Sequence, residues 1–110
     1  MKVWLDDLRE MPASYNRHAR TAAEAIALLG TGLVTSISLD HDLGDAENGT
    51  GYEVAKWSEQ KAFAWAQGDS SGLPPLAWRI HSQNPVGVAH MTLALRNADR
   101  FWARRQTTNY

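Results

Sequence analysis

The sequence predicts a small α/β fold of three layers, built on a mostly parallel sheet of about four strands in the order 2-1-3-4. Three observations predict it. Short apolar runs rich in strand formers alternate with segments of helical period, and such alternation favours right-handed crossovers and parallel pairing. Each of the three clearest strand segments ends in polar, chemically able residues, as strands feeding one rim of a sheet would. The chain has 110 residues, the size of one domain, and 44% of them are hydrophobic, which argues for a folded core over disorder.

Taken in order, Val3-Trp4-Leu5 is a strand that stops at Asp6-Asp7. Glu10 to Ser14 is loop, and Tyr15 to Arg20 is a weak edge strand. Thr21 followed by Glu24 makes a capping box for a helix over 22–29, which Gly30 and Gly32 stop. Thr35 to Leu39 is the second clear strand, and it runs into Asp40-His41-Asp42. Gly44 to Gly51, with three glycines, is a loop and a candidate mobile lid. Tyr52 to Gln67 is a helix whose apolar side carries Val54, Ala55, Trp57, Ala62, Trp65 and Ala66. Pro74-Pro75 keeps the following linker out of helix. Leu76 to Ile80 is the third clear strand, ending in His81-Ser82. Asn84 is the N-cap and Pro85 the first turn of a last helix, with Val88, Met91, Leu95, Ala98 and Trp102 on one side. Arg104 to Tyr110 is read as a fraying tail.

Composition narrows the function. A formal net charge of −1 rules out strong overall attraction to nucleic acid or an anionic membrane, though not a local basic patch. Without cysteine there is no disulfide, thiolate metal site or thiol nucleophile. No apolar run approaches the roughly 18 residues of a membrane span. The first residues lack the apolar stretch of a secretory signal, so the expected location is cytoplasmic.

In a parallel sheet, ligands bind beyond the carboxyl ends of the strands. Asp6, Asp7 and Arg9 follow the first strand, Asp40, His41 and Asp42 the second, and His81, Ser82 and Asn84 the third. Neighbouring strands lie about 4.8 Å apart, so Asp6, Asp7 and Asp40 would crowd one rim. Such crowding is costly unless a cation neutralises it or one carboxyl is protonated. An oxygen-only set that includes Asp42 suits Mg²⁺ or Mn²⁺, and Arg9 is an alternative neutraliser with no metal. A set of His41, His81 and an aspartate would suit zinc instead. A lone histidine is most often structural, and His18 and His90 are read so. His41 and His81 are read as a general acid/base pair, with Asp40 or Asp42 orienting a ring. Arg9, Ser82 and Asn84, together with the start of the last helix, would hold phosphate oxygens. Trp57, Trp65, Trp78 and Trp102 are read as core, and Arg96, Arg100, Arg104 and Arg105 as a solvated face.

The Asp6-Asp7 pair, Asp40 after a later strand and the segment Ala19 to Ile26 resemble response-regulator receiver domains. That resemblance implies a flavodoxin-like fold, with Asp40 at the phospho-acceptor position and Ser82 at the switch position. The chain departs from true receivers where they carry a lysine after the last strand; its lysines are Lys2, Lys56 and Lys61. Leu5-Asp6-Asp7-Leu8-Arg9, Ser38-Leu39-Asp40-His41-Asp42-Leu43-Gly44, Gly51-Tyr52 and His81-Ser82-Gln83-Asn84-Pro85-Val86-Gly87 with Met91 resemble more closely the cyclic-phosphate processing receiver-like family. That resemblance implies a phosphoesterase opening a cyclic phosphate on a nucleotide or RNA end, in phage and bacterial conflict or repair. The partner is then a small nucleotide-like ligand or an RNA end, and no membrane. The alternatives are a receiver-type phospho-switch and a module that binds cyclic nucleotide or protein without turnover.

Overall fold

The computed structural model describes residues 1–107, with side chains as far as Arg105. The elements are β1 (Lys2–Leu5), β2 (Arg17–Ala19), α1 (Ala22–Leu29), β3 (Ser36–Leu39), a 3₁₀ turn (Ala46–Asn48), α2 (Gly51–Ala66), β4 (Ala77–Ile80) and α3 (Pro85–Thr107). All strand pairs are parallel, and the order is β2-β1-β3-β4, as the sequence predicts.

Helix starts follow the capping chemistry. Thr21 Oγ1 accepts from the Glu24 amide at 3.1 Å, and Glu24 reaches back to the Arg20 amide at 2.7 Å. The same Thr-x-x-Glu spacing at Thr50 and Glu53 caps α2 at 3.3 Å and starts it one residue before the expected Tyr52. Asn84 Oδ1 accepts from the Gly87 amide at 3.0 Å and so caps α3. Two expectations shrink. The edge strand keeps only Arg17–Ala19, and Thr35 lies just outside β3. The loop from Gly44 holds the 3₁₀ turn, closed by a bridge between Asp42 and Thr50.

Register assigns the sheet faces. Val3, Ile37 and Trp78 form one cross-strand row, and Leu5, Ala19, Leu39 and Ile80 the next. Both rows face the helices, whose Ala25, Leu29, Val54, Ala55, Ala62, Met91, Leu95, Ala98 and Trp102 complete the core. The two crossovers, β2 to β3 and β3 to β4, step the same way across the sheet. Right-handedness therefore puts α1 and α2 on one face. α1 packs on α2, and α2 along α3. The other face has no helix among the described residues. In place of a helical third layer it carries Trp4, Ser38 and His81, with Tyr15 edge-on to Trp4 at 5.3 Å. The connection from β1 to β2, residues 6–16, forms no helix.

Of the tryptophans read as core, Trp102 is buried, whereas Trp57, Trp65 and Trp78 are only partly covered. The tail corrects a further expectation: α3 continues through Arg104 and Arg105 to Thr107. Arg105 donates to the Trp65 carbonyl at 2.9 Å and lies 4.2 Å from its ring, which holds the last turn against α2. Residues 108–110 lie outside the described residues. No helix among the described residues is long and apolar enough to cross a membrane.

Candidate functional site

β1 ends because Asp6 turns the chain. Its Oδ1 accepts from the amides of Leu8 at 2.9 Å and Arg9 at 2.8 Å, an Asx-type turn that fixes the next three residues. Its carbonyl accepts from His18 Nε2 at 2.8 Å, so His18 is structural, as expected. Its Oδ2 lies 3.0 Å from His81 Nε2, and His81 Nδ1 lies 2.8 Å from Ser38 Oγ. An ionised carboxylate only accepts, so Nε2 carries the hydrogen and Nδ1 receives the Ser38 proton. The imidazole stacks on Trp4, centroids 3.8 Å apart and planes 6° from parallel. Burial pushes the His81 pKa below its ordinary value, against the pull of Asp6 and Asp40, so the ring is held neutral. Burial pushes Asp6 the other way. The amides of Arg9 and Leu8 and the His81 ring outweigh it, leaving the carboxyl below the usual range.

Asp40 follows β3, and its Oδ1 accepts from the His41 amide at 2.8 Å. Asp6, Asp7 and Asp40 each present a carboxylate oxygen, all within 4.8 Å of one another. The crowding expected from strand spacing is real. Asp42 stands apart from that trio. Its Oδ1 lies 2.9 Å from His41 Nδ1, and this bond, followed by one from Asn84, holds the Asp42 carboxyl below its usual range. With Nδ1 donating to Asp42, Nε2 is the ring nitrogen of His41 left without a protein partner among the hydrogen bonds of the site. Asn84 Nδ2 lies 3.4 Å from both partners, tying the start of α3 to the dyad.

Two glycines permit this crowding. A Cβ at Gly51 would collide with the Asp40 carbonyl, and one at Gly87 with the His41 ring. These contacts let α2 and α3 bring their first turns against the β3 end.

The resulting cavity is about 470 Å³, within the range of small-molecule sites. Asp6, Asp7, Asp40 and Asp42 face a single cation, Arg9, across it, with Leu8, Gly44, Gln83 and Asn84 at its margins. Arg9 Nη1 donates to the His81 carbonyl and lies 4.0 Å from Asp6 Oδ2. His41 and His81 stand behind this lining, their side chains 17% and 15% exposed. Ser82 Oγ accepts from the Asn84 amide at 3.1 Å and shapes the turn into α3. Residues 1–97 match the model of one family, the cyclic-phosphate processing receiver domain.

The chain belongs to that family. The matched span includes Asp6, Asp7, Asp40, Asp42, His41, His81 and Arg9 of this receiver domain. No curated protein and no solved structure matches the chain. Sequence reasoning missed Ser38 and Trp4, two of the partners of His81. Period-two alternation in β3 was the available signal: with Ile37 and Leu39 inward, Ser38 shares a face with Trp4. His90 is exposed beside Tyr52 and does not line this cavity. Arg96, Arg100 and Arg104 lie exposed, as a solvated face would.

Proposed function

We propose that this receiver domain is a phosphoesterase that opens a cyclic phosphate on a nucleotide or RNA end. The observation that carries the reading is the trio Asp6, Asp7 and Asp40, set within 4.8 Å at one end of the cavity that Arg9 also lines. Four carboxylates against one guanidinium would repel a phosphate unless a cation intervened. Three oxygen donors fit a hard divalent ion such as Mg²⁺ or Mn²⁺, with Asp6, Asp7 and Asp40 as the holding groups. When bound, such an ion supplies neutralising charge and polarises a phosphoryl oxygen. Arg9 anchors a phosphate oxygen, and Asn84 contributes an amide at the opposite margin. Proton transfer falls to His41: Asp42 orients the ring, and Nε2 is the lone pair that can take a proton from an attacking water. The water oxygen bonds to phosphorus, one ring P–O bond breaks, and the departing oxygen takes up a proton to leave a phosphomonoester. His81, whose two ring nitrogens are both engaged by protein, holds Asp6 instead of forming an acid/base pair with His41.

The test is phosphorus NMR of the protein with nucleoside 2′,3′-cyclic phosphates and 3′,5′-cyclic nucleotides, with Mg²⁺, Mn²⁺ or chelator. A new phosphomonoester signal that is lost in His41→Ala and on chelation is the expected result. A second reading, a receiver-type phospho-acceptor at Asp40, is favoured by the placement of both histidines behind the lining. It predicts an acyl phosphate on Asp40 from a small phosphodonor and no turnover of the cyclic panel.

A further inference from the structure

Behind the cavity runs a circuit of polar side chains on the face of the sheet that no helix covers. Ser38 begins it. It is 0% exposed in the middle of β3, and burying a hydroxyl is costly unless it is bonded. Its one side-chain partner is His81 Nδ1 at 2.8 Å. The circuit continues through His81 Nε2 to Asp6 Oδ2 at 3.0 Å. From there Asp6 Oδ1 holds the amides of Leu8 and Arg9. It closes where the His81 carbonyl accepts from the Arg9 guanidinium. Both the backbone and the side chain of Arg9 are therefore held by the Asp6–His81 pair.

A single hydrogen bond fixes one atom of a ring and leaves the ring free to pivot. A half-turn about Cβ–Cγ would exchange Nδ1 with a carbon and carry Nε2 away from Asp6. The Trp4 stack fixes the ring plane but does not distinguish the two half-turn states. The Asp6 bond does, and a second bond on the other nitrogen reinforces that choice. Ser38 provides it, and because it donates there, it also favours the tautomer that puts hydrogen on Nε2.

We propose that Ser38 is a positioning residue for the cavity. By selecting one orientation and one tautomer of His81, it fixes Asp6 and, through the Leu8–Arg9 turn, the guanidinium of Arg9. The consequence for ligand binding rests on reading Arg9 as a phosphate anchor; the consequence for the His81 ring does not.

The experiment compares the parent with Ser38→Ala, Ser38→Thr and, as a control, Ser36→Ala, which lies two residues away on the same sheet face. Alanine fits the space of serine, and threonine keeps the hydroxyl. Nitrogen-15 NMR of the ligand-free protein reads the His81 ring. The parent and Ser38→Thr are expected to show a protected Nε2–H resonance, which broadens or vanishes in Ser38→Ala. Titration with a nucleoside 3′-monophosphate in the presence of Mn²⁺ reads the cavity. Ser38→Ala is expected to bind about ten-fold more weakly, as when a ligand loses the partner behind it. Ser38→Thr and Ser36→Ala should stay near the parent. A Ser38→Ala protein with the parent's Nε2–H line and affinity would overturn the proposal, even if its melting temperature fell. If the parent itself binds no nucleotide, the phosphate-anchor reading fails, and the Nε2–H line alone decides: retention in Ser38→Ala overturns the role given to Ser38, and loss supports it.

Discussion

His41 and His81 show how one residue type takes two roles from its neighbours. His41 has a carboxylate on Nδ1 and leaves Nε2 as an acceptor, whereas His81 has partners on both nitrogens. A glutamine places its amide nitrogen near the position of Nε2, so it can still donate to Asp6 but cannot shuttle a proton. His81→Gln is therefore expected to retain a larger share of the rate than His81→Ala. His41→Gln should lose as much as His41→Ala, about 10²–10⁴-fold. Steady-state rates of the four variants on whichever cyclic phosphate is turned over check this. Stability carries its own signature. The His81 pKa is depressed in the folded protein, so the unfolded chain binds the proton more readily. The neutral ring's contribution is complete above the unfolded value of 6.5 and is lost as pH falls from there through the folded value. Asp6, also depressed, gives a second loss that starts as pH falls below 3.8 and ends below its folded value. Melting temperatures between pH 8 and pH 3 should therefore fall in two stages, and His81→Gln should flatten the first.

At the scale of elements, the site depends on how closely helix starts approach strand ends. Gly51 opens α2 against the Asp40 carbonyl, and Gly87 sits in the first turn of α3 against the His41 ring. At Gly51 the opposing atom is backbone, which cannot swing aside, whereas the ring opposite Gly87 can. Gly51→Ala is thus expected to cost several kcal/mol and in practice to unfold much of the protein. Gly87→Ala should cost about 1–3 kcal/mol and mainly displace His41. Chemical denaturation and the rate of a folded Gly87→Ala protein separate the two. The caps were legible because each needs only a local pattern, Thr21 with Glu24 and Asn84 before Pro85. Thr50 with Glu53 has the same spacing and sits at the end of a glycine-rich loop. That loop reads as unstructured when residues are weighed by composition alone.

On the whole-molecule scale, the fold concentrates negative charge at one end of the sheet. A ligand that binds only the folded state stabilises it in proportion to its saturation. Mn²⁺ at about 100 times its dissociation constant should add about 2.7 kcal/mol. The rise in melting temperature should be abolished by chelator and by Asp40→Asn, and no rise in the parent would count against the cation in the proposed mechanism. The alternation of strands with helices and the meeting of Asp6, Asp7 and Asp40 were readable from the chain itself. Strand length, alternation with helices and the handedness of crossovers leave few arrangements, and parallel strands deliver their ends to one rim. The same local rules predicted α1 to the residue. They could not say that both ring nitrogens of His81 would be engaged by the protein. That depends on Ser38 and Trp4, brought to His81 only by cross-strand register. The loop Glu10 to Ser14 already left no helix between the first two strands, but that both crossovers step the same way and leave one face bare emerges only with the strand order. Backbone pattern is written in near neighbours along the chain. The orientation of His81, and with it the placing of Asp6 and Arg9, was decided by residues distant in sequence, and only the assembled tertiary structure brings those together.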